Sequence, residues 1–107
     1  MILSNIVLDT DLLSKATITF GVNAQVDKAI EGMAELIKAL LKRRSAKSYE
    51  ELTATTDAVL SEIADVYRML AQLTIIYAGG SAVSKLPGCV NEKMNRLEER
   101  LERLVKS

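Results

Sequence analysis

Glu62 and Asp65 are the residues whose placement most suggests chemistry. They sit three positions apart in Val59–Leu70, VLSEIADVYRML. Side chains at i and i+3 share a helix face, so these two carboxylates can converge on one cation. On a helical projection they fall on the line of Ala58, Met69 and Ile76. Asp57, Ser61 and Arg68 form a separate, narrow polar face. A carboxylate on an otherwise apolar line is costly unless it is paired or binds a cation. An earlier stretch, Ala29–Leu40, AIEGMAELIKAL, repeats the pattern. It sets Ala34 on Ala64, Glu35 on Asp65, Lys38 on Arg68, Leu40 on Leu70 and Gly32 on Glu62. Two antiparallel helices of this kind could supply four carboxylates; this chain supplies three and a glycine. Two readings stay open for the acids: ion pairs with Lys or Arg from a neighbouring helix, or a cation site. Glu31 lies about 100° round from Gly32 and reads as a solvated partner of Lys28. For Glu35 the repeat favours a place beside Asp65 over a pairing with Lys38.

A second group is cationic. Lys93, Arg96, Arg100 and Arg103 line one flank of the last amphipathic stretch. Such a stripe can hold polyphosphate oxygens. It can equally form i, i+4 pairs, Glu92 with Arg96 and Glu99 with Arg103. Gln25 lies on the same edge of its stretch as Gly32, Glu35 and Ala39. No Walker pattern, no G-x-G-x-x-G and no Cys/His metal spacing occurs.

Four helices have to position these residues. Leu12, Leu13, Ala16 and Phe20 predict a short first helix over Asp9–Phe20, although ATITF is rich in β-formers. Gly21 is placed to stop it. Asn23 is the expected N-cap of the second helix, which carries the stripe Val26, Ile30, Met33, Ile37 and Leu40 and ends at Arg43 and Arg44. Ser48 and Glu51 predict a capping box for a third helix with Leu52, Thr56, Val59, Ile63, Val66, Leu70, Leu73 and Tyr77 on its main line. Gly79-Gly80 should end it. Ser81–Gly88, with Pro87, reads as a connector, and Val90, Met94, Leu97, Leu101 and Leu104 mark the last helix. The third helix is apolar on too many sides for four short helices to cover. A homo-oligomer built on it, a dimer or a dimer of dimers, is therefore expected.

Composition narrows the classes. A chain of 107 residues is expected to form a single domain, residues 1–107, with one modest core. Fourteen basic residues balance fourteen acidic ones, which argues against a nucleic-acid polymer as partner. There is no His, so the commonest general base and transition-metal ligand is missing. The lone Cys89 suits a reducing cytoplasm. Met1–Asp11 lacks the basic region of a signal peptide, and no apolar run reaches the roughly 18 residues of a membrane helix. A cytoplasmic protein that does not enter the membrane is expected.

These residues resemble the MazG-like, all-α nucleotide pyrophosphohydrolases, particularly the short phage-type versions. That family's pattern is Glu-Glu-x-x-Glu, a spacer, then Glu-x-x-Asp. Here it reads Glu31-Gly32-Met33-Ala34-Glu35, twenty-six residues, then Glu62-Ile63-Ala64-Asp65. GVNAQVDKAIEGMAELIKAL resembles the family's passage from the first helix into the second. EIADVYRMLAQL resembles its third helix and KMNRLEERL its basic last helix, so the likeness runs over about Asp11–Leu104. The resemblance implies an all-α, four-helix, bundle-like fold. It also implies Mg²⁺-dependent cleavage, with Mn²⁺ as a substitute, of a nucleoside triphosphate (NTP or dNTP) to monophosphate and pyrophosphate. The family's metal ligands carry over to Glu35, Glu62 and Asp65 but not to Gly32, where an acid is missing. Lys93, Arg96 and Arg100 would hold phosphates, and Gln25 would line the base pocket. Either three carboxylates and an extra water suffice, or activity is lost. The alternative is then a catalytically inactive helical oligomer that binds nucleotide or a protein partner.

Overall fold

The computed structural model describes residues 5–79 and 85–106. Within them the chain is all-helical and without strands. Helix α1 spans Thr10–Phe20, α2 Val22–Arg44, α3 Tyr49–Tyr77 and α4 Lys85–Lys106. The chain divides into two compact units, Met1–Ile76 and Tyr77–Ser107. No described helix is long and apolar enough to cross a membrane.

In the first unit, local chemistry sets each helix end. The Asp9 carboxylate accepts from the Leu12 N–H at 3.0 Å and caps α1. The β-formers of ATITF are helical nonetheless. The Thr17 hydroxyl donates to the Leu13 carbonyl one turn back, at 3.0 Å, and both residues are buried on the helix that packs against α2. Gly21 ends α1 with φ of 91°, a conformation that side chains disfavour. Its N–H donates to the Thr17 carbonyl at 2.9 Å. The expected cap at Asn23 is corrected. Helix α2 starts at Val22 and its N-cap is Gly21, with no side-chain bond. The break is a single residue, so Asn23 already lies in the first turn.

The capping box at the start of α3 forms as the sequence predicts. The Glu51 N–H donates to Ser48 Oγ at 3.0 Å, and Glu51 Oε2 accepts in return from the Lys47 N–H at 2.9 Å. Two hydrogen bonds tie α2 to α3 at opposite ends. Gln72 donates to Gln25 at one end, and Arg43 Nε donates to Thr56 Oγ1 at 2.8 Å at the other. The helices therefore run antiparallel.

The face of α2 turned inward is not the large apolar stripe. It is the adjacent line of Gln25, Ala29, Gly32, Leu36 and Ala39, of which the first three are buried. On α3 the deepest side chains are Met69 and Gln72, so the line carrying the acids is the inner one. Small residues allow the approach. A Cβ built on Gly32 would lie 3.5 Å from Met69 Cγ.

In the second unit, α4 starts at Lys85, four residues earlier than a connector ending at Gly88 would allow. Pro87 is its third residue. The first four N–H groups of a helix have no intrahelical partner, so a proline there forfeits nothing. The stretch 81–84, the rest of that expected connector, lies outside the described residues, as does Gly80.

The large stripe of α2 is left uncovered within one chain. Ile30 is 61% exposed, Ile37 59% and Leu40 49%. The buried apolar residues among those described are only Leu13, Ala29 and Met69. Each large side chain taken from water stabilises by roughly 1.5–3 kcal/mol, so a second copy over this stripe would contribute much of the stability. If a second copy covers this stripe, Ile37→Asp should favour the monomer and lower the melting temperature. Light scattering with a thermal melt checks this; a wild-type chain that stays monomeric and stable at micromolar concentration refutes it.

Candidate functional site

A cleft of about 400 Å³ lies between α2 and α3. Lys28, Glu31, Gly32 and Glu35 line it from α2, and Glu62, Asp65, Arg68 and Met69 from α3. It arises from the same packing that buries Met69. Glu35 stands one turn after Gly32 on α2, and Asp65 and Glu62 stand one and two turns before Met69 on α3. Glu62 is half-buried, while Glu35 and Asp65 are exposed. Glu35 and Glu62 also border a second cleft of about 550 Å³, lined by Lys38, Ala39, Leu41, Lys42, Ser45 and Ala58. The two carboxylates thus stand where the two clefts adjoin.

The three expected metal residues, Glu35, Glu62 and Asp65, are thus brought to one cleft. They are not drawn onto one point: among the described residues, no group of three or more Asp, Glu, His or Cys is placed to hold a metal ion. The donor set itself, carboxylate oxygens alone, suits a hard divalent cation. At position 32 no acid completes the set: the residue is glycine, and Met69 Cγ lies 3.5 Å from where its Cβ would stand.

Two cations on the cleft wall were read from sequence only as surface charge. Lys28 Nζ is 3.9 Å from Glu31 Oε2, an exposed i, i+3 pair, as expected for Glu31. Arg68 Nη1 donates to Gln72 Oε1 at 3.2 Å. Their signal was available: Lys28 is one turn before Gly32, and Arg68 one turn after Asp65.

Gln25, expected at a base pocket, has its side chain buried against Gln72 instead, with both amides almost wholly removed from water. Lys93, Arg96 and Arg100 lie exposed on α4, in the other unit. Arg96 Nη2 there donates to Glu92 Oε1 at 2.6 Å, one of the two expected i, i+4 pairs. Neither the protein-family models nor the curated proteins nor the solved structures include a match to this chain.

The buried amide pair makes a direct prediction. Gln25→Ala leaves the Gln72 Nε2–H without its acceptor, and an unsatisfied buried polar group costs about 1–3 kcal/mol. Gln25→Leu with Gln72→Leu should cost less than either single Leu variant. Chemical denaturation of the four proteins measures the difference; additive losses would show that the two amides act independently.

Proposed function

We propose that the α2/α3 cleft binds a nucleoside triphosphate with a divalent cation and hydrolyses it to monophosphate and pyrophosphate. The observation that carries this reading is the shared cleft. Antiparallel α2 and α3 set Glu35, Glu62 and Asp65 on one wall system with Lys28 and Arg68. The carboxylates would hold Mg²⁺, or Mn²⁺ in its place. When bound, such an ion offsets triphosphate charge and orients an attacking water. Lys28 and Arg68 supply ammonium and guanidinium donors for phosphate oxygens. Lys93, Arg96 and Arg100 of α4, in the other unit, form a separate cationic group able to donate to phosphate oxygens. Gln25 acts by holding α2 on α3 rather than by lining a base pocket. The fold is then a MazG-type helical assembly of two or four copies.

A second reading follows from position 32. With Met69 over Gly32, the cleft holds three acids, and a protein of this design can bind nucleotide or a protein partner without turning it over. Pyrophosphate release from a panel of NTPs and dNTPs, with Mg²⁺ and with Mn²⁺, decides between the two. Release with any nucleotide supports hydrolysis. Binding by calorimetry without release supports the second reading.

Two variants test the carboxylates. Divalent cation should raise the melting temperature of the wild type, because a ligand that binds only the folded state stabilises it. Asp65→Asn should remove most of that shift; an unchanged metal response would instead assign the acids to ion pairs. Gly32→Glu should bind Mg²⁺ more tightly and release pyrophosphate faster. Its added carboxylate starts 3.5 Å from a flexible methionine, an ordinary contact distance. A folded Gly32→Glu protein with neither gain would remove position 32 from the site.

A further inference from the structure

Helix α4 carries an apolar seam and has no buried residue along its length. Val90, Met94, Leu97 and Leu101 stand 47–59% exposed, and Leu104 continues their spacing. The intervals are four, three, four and three, the a/d repeat that lets two helices supercoil. Met94 and Leu101 fall at a, and Val90, Leu97 and Leu104 at d. The charges beside the seam then fall into register. Lys93 and Arg100 occupy g, and Glu98 occupies e.

We propose that α4 pairs with α4 of a second copy as a parallel, in-register two-stranded coiled coil. Charge complementarity selects this occupant and this direction. In a parallel pair each g residue meets the e residue five positions later on the other chain. Lys93 therefore meets Glu98 of the second copy, twice per dimer. Either antiparallel register sets cation against cation across the seam, Lys93 against Arg100 or Arg100 against itself. The Glu92–Arg96 bond lies at f and c, off the seam, so it does not compete. This surface is distinct from the exposed stripe of α2 and from the cleft, and it does not depend on the cleft binding nucleotide.

The test uses the full-length chain. Val90→Cys in a Cys89→Ala background should form an interchain disulfide on mild oxidation, because position 90 faces its own copy only when the helices are parallel. Cys89 itself falls at c, facing outward, and the wild type should cross-link far less. Preferential cross-linking of Val90→Cys chains to Leu101→Cys chains would show antiparallel pairing and overturn the proposal. So would no cross-link in a protein whose circular dichroism is unchanged, which would assign the seam to another helix or another protein. Charge reversal gives a second readout. Lys93→Glu turns both attractions into repulsions and should slow cross-linking about tenfold. Adding Glu98→Lys should restore it. Equal cross-linking in the single and double variants would also overturn the proposal.

Discussion

The register of α2 on α3 governs the first unit. One buried amide pair, Gln25 with Gln72, fixes it near one end, and the bond from Arg43 to Thr56 fixes it near the other. Polar groups buried in this way tolerate no slippage, since any shift strands an amide away from water. A one-residue rotation of α3 turns its faces by about 100°. Glu62 would leave the cleft and Gln72 would lose its bond to Gln25. A pair of neutral side chains with no chemistry of its own thus decides which charged ones share a cleft.

Much of the fold is legible in the sequence because helix signals are local. Asp9, Gly21, Ser48 and Glu51 act within a turn of where they stand, and the structure uses each of them. Asn23 misleads because its preference for caps is real but a one-residue break at Gly21 had already used the cap position. Pro87 misleads because it breaks helices in the interior and is harmless in a first turn. The gathering of Glu35, Glu62 and Asp65 on one cleft was legible from the internal repeat. What periodicity could not rank was which line of α2 faces inward. Hydrophobic spacing favours Val26, Ile30, Met33, Ile37 and Leu40, whereas the inner line is made of Gln25, Ala29, Gly32 and their neighbours. Small residues leave a faint hydropathy signal, yet they decide how closely two backbones approach.

The uncovered stripe has a consequence for stability. Conformational entropy opposes the ordering of every residue by about 1–2 kcal/mol. A unit whose buried apolar set, among the described residues, is Leu13, Ala29 and Met69 has little to set against that cost. The exposed large side chains on α2 fall on a single face rather than being scattered, which is the distribution that a partner covers. The stripe and the small-residue line therefore divide the labour on one helix, with the small residues facing α3 and the large ones facing outward.

Position 32 is where packing and chemistry compete for the same volume. Glycine in a helix interior is less stable than most residues by up to about 1 kcal/mol, so helix propensity alone would select against it. The compensation is on α3: Met69 is buried against the gap that glycine leaves, and burying a methionine is worth roughly 1.5–3 kcal/mol. An acid at 32 would recover the propensity but would bring a fourth negative charge towards Glu35, Glu62 and Asp65, in contact with Met69. Without a cation, the glycine is thus the more stable choice. With a cation, the balance turns on whether a fourth oxygen ligand gains more than Met69 loses. The same residue that closes the helix contact thereby sets how strongly the cleft can hold a metal.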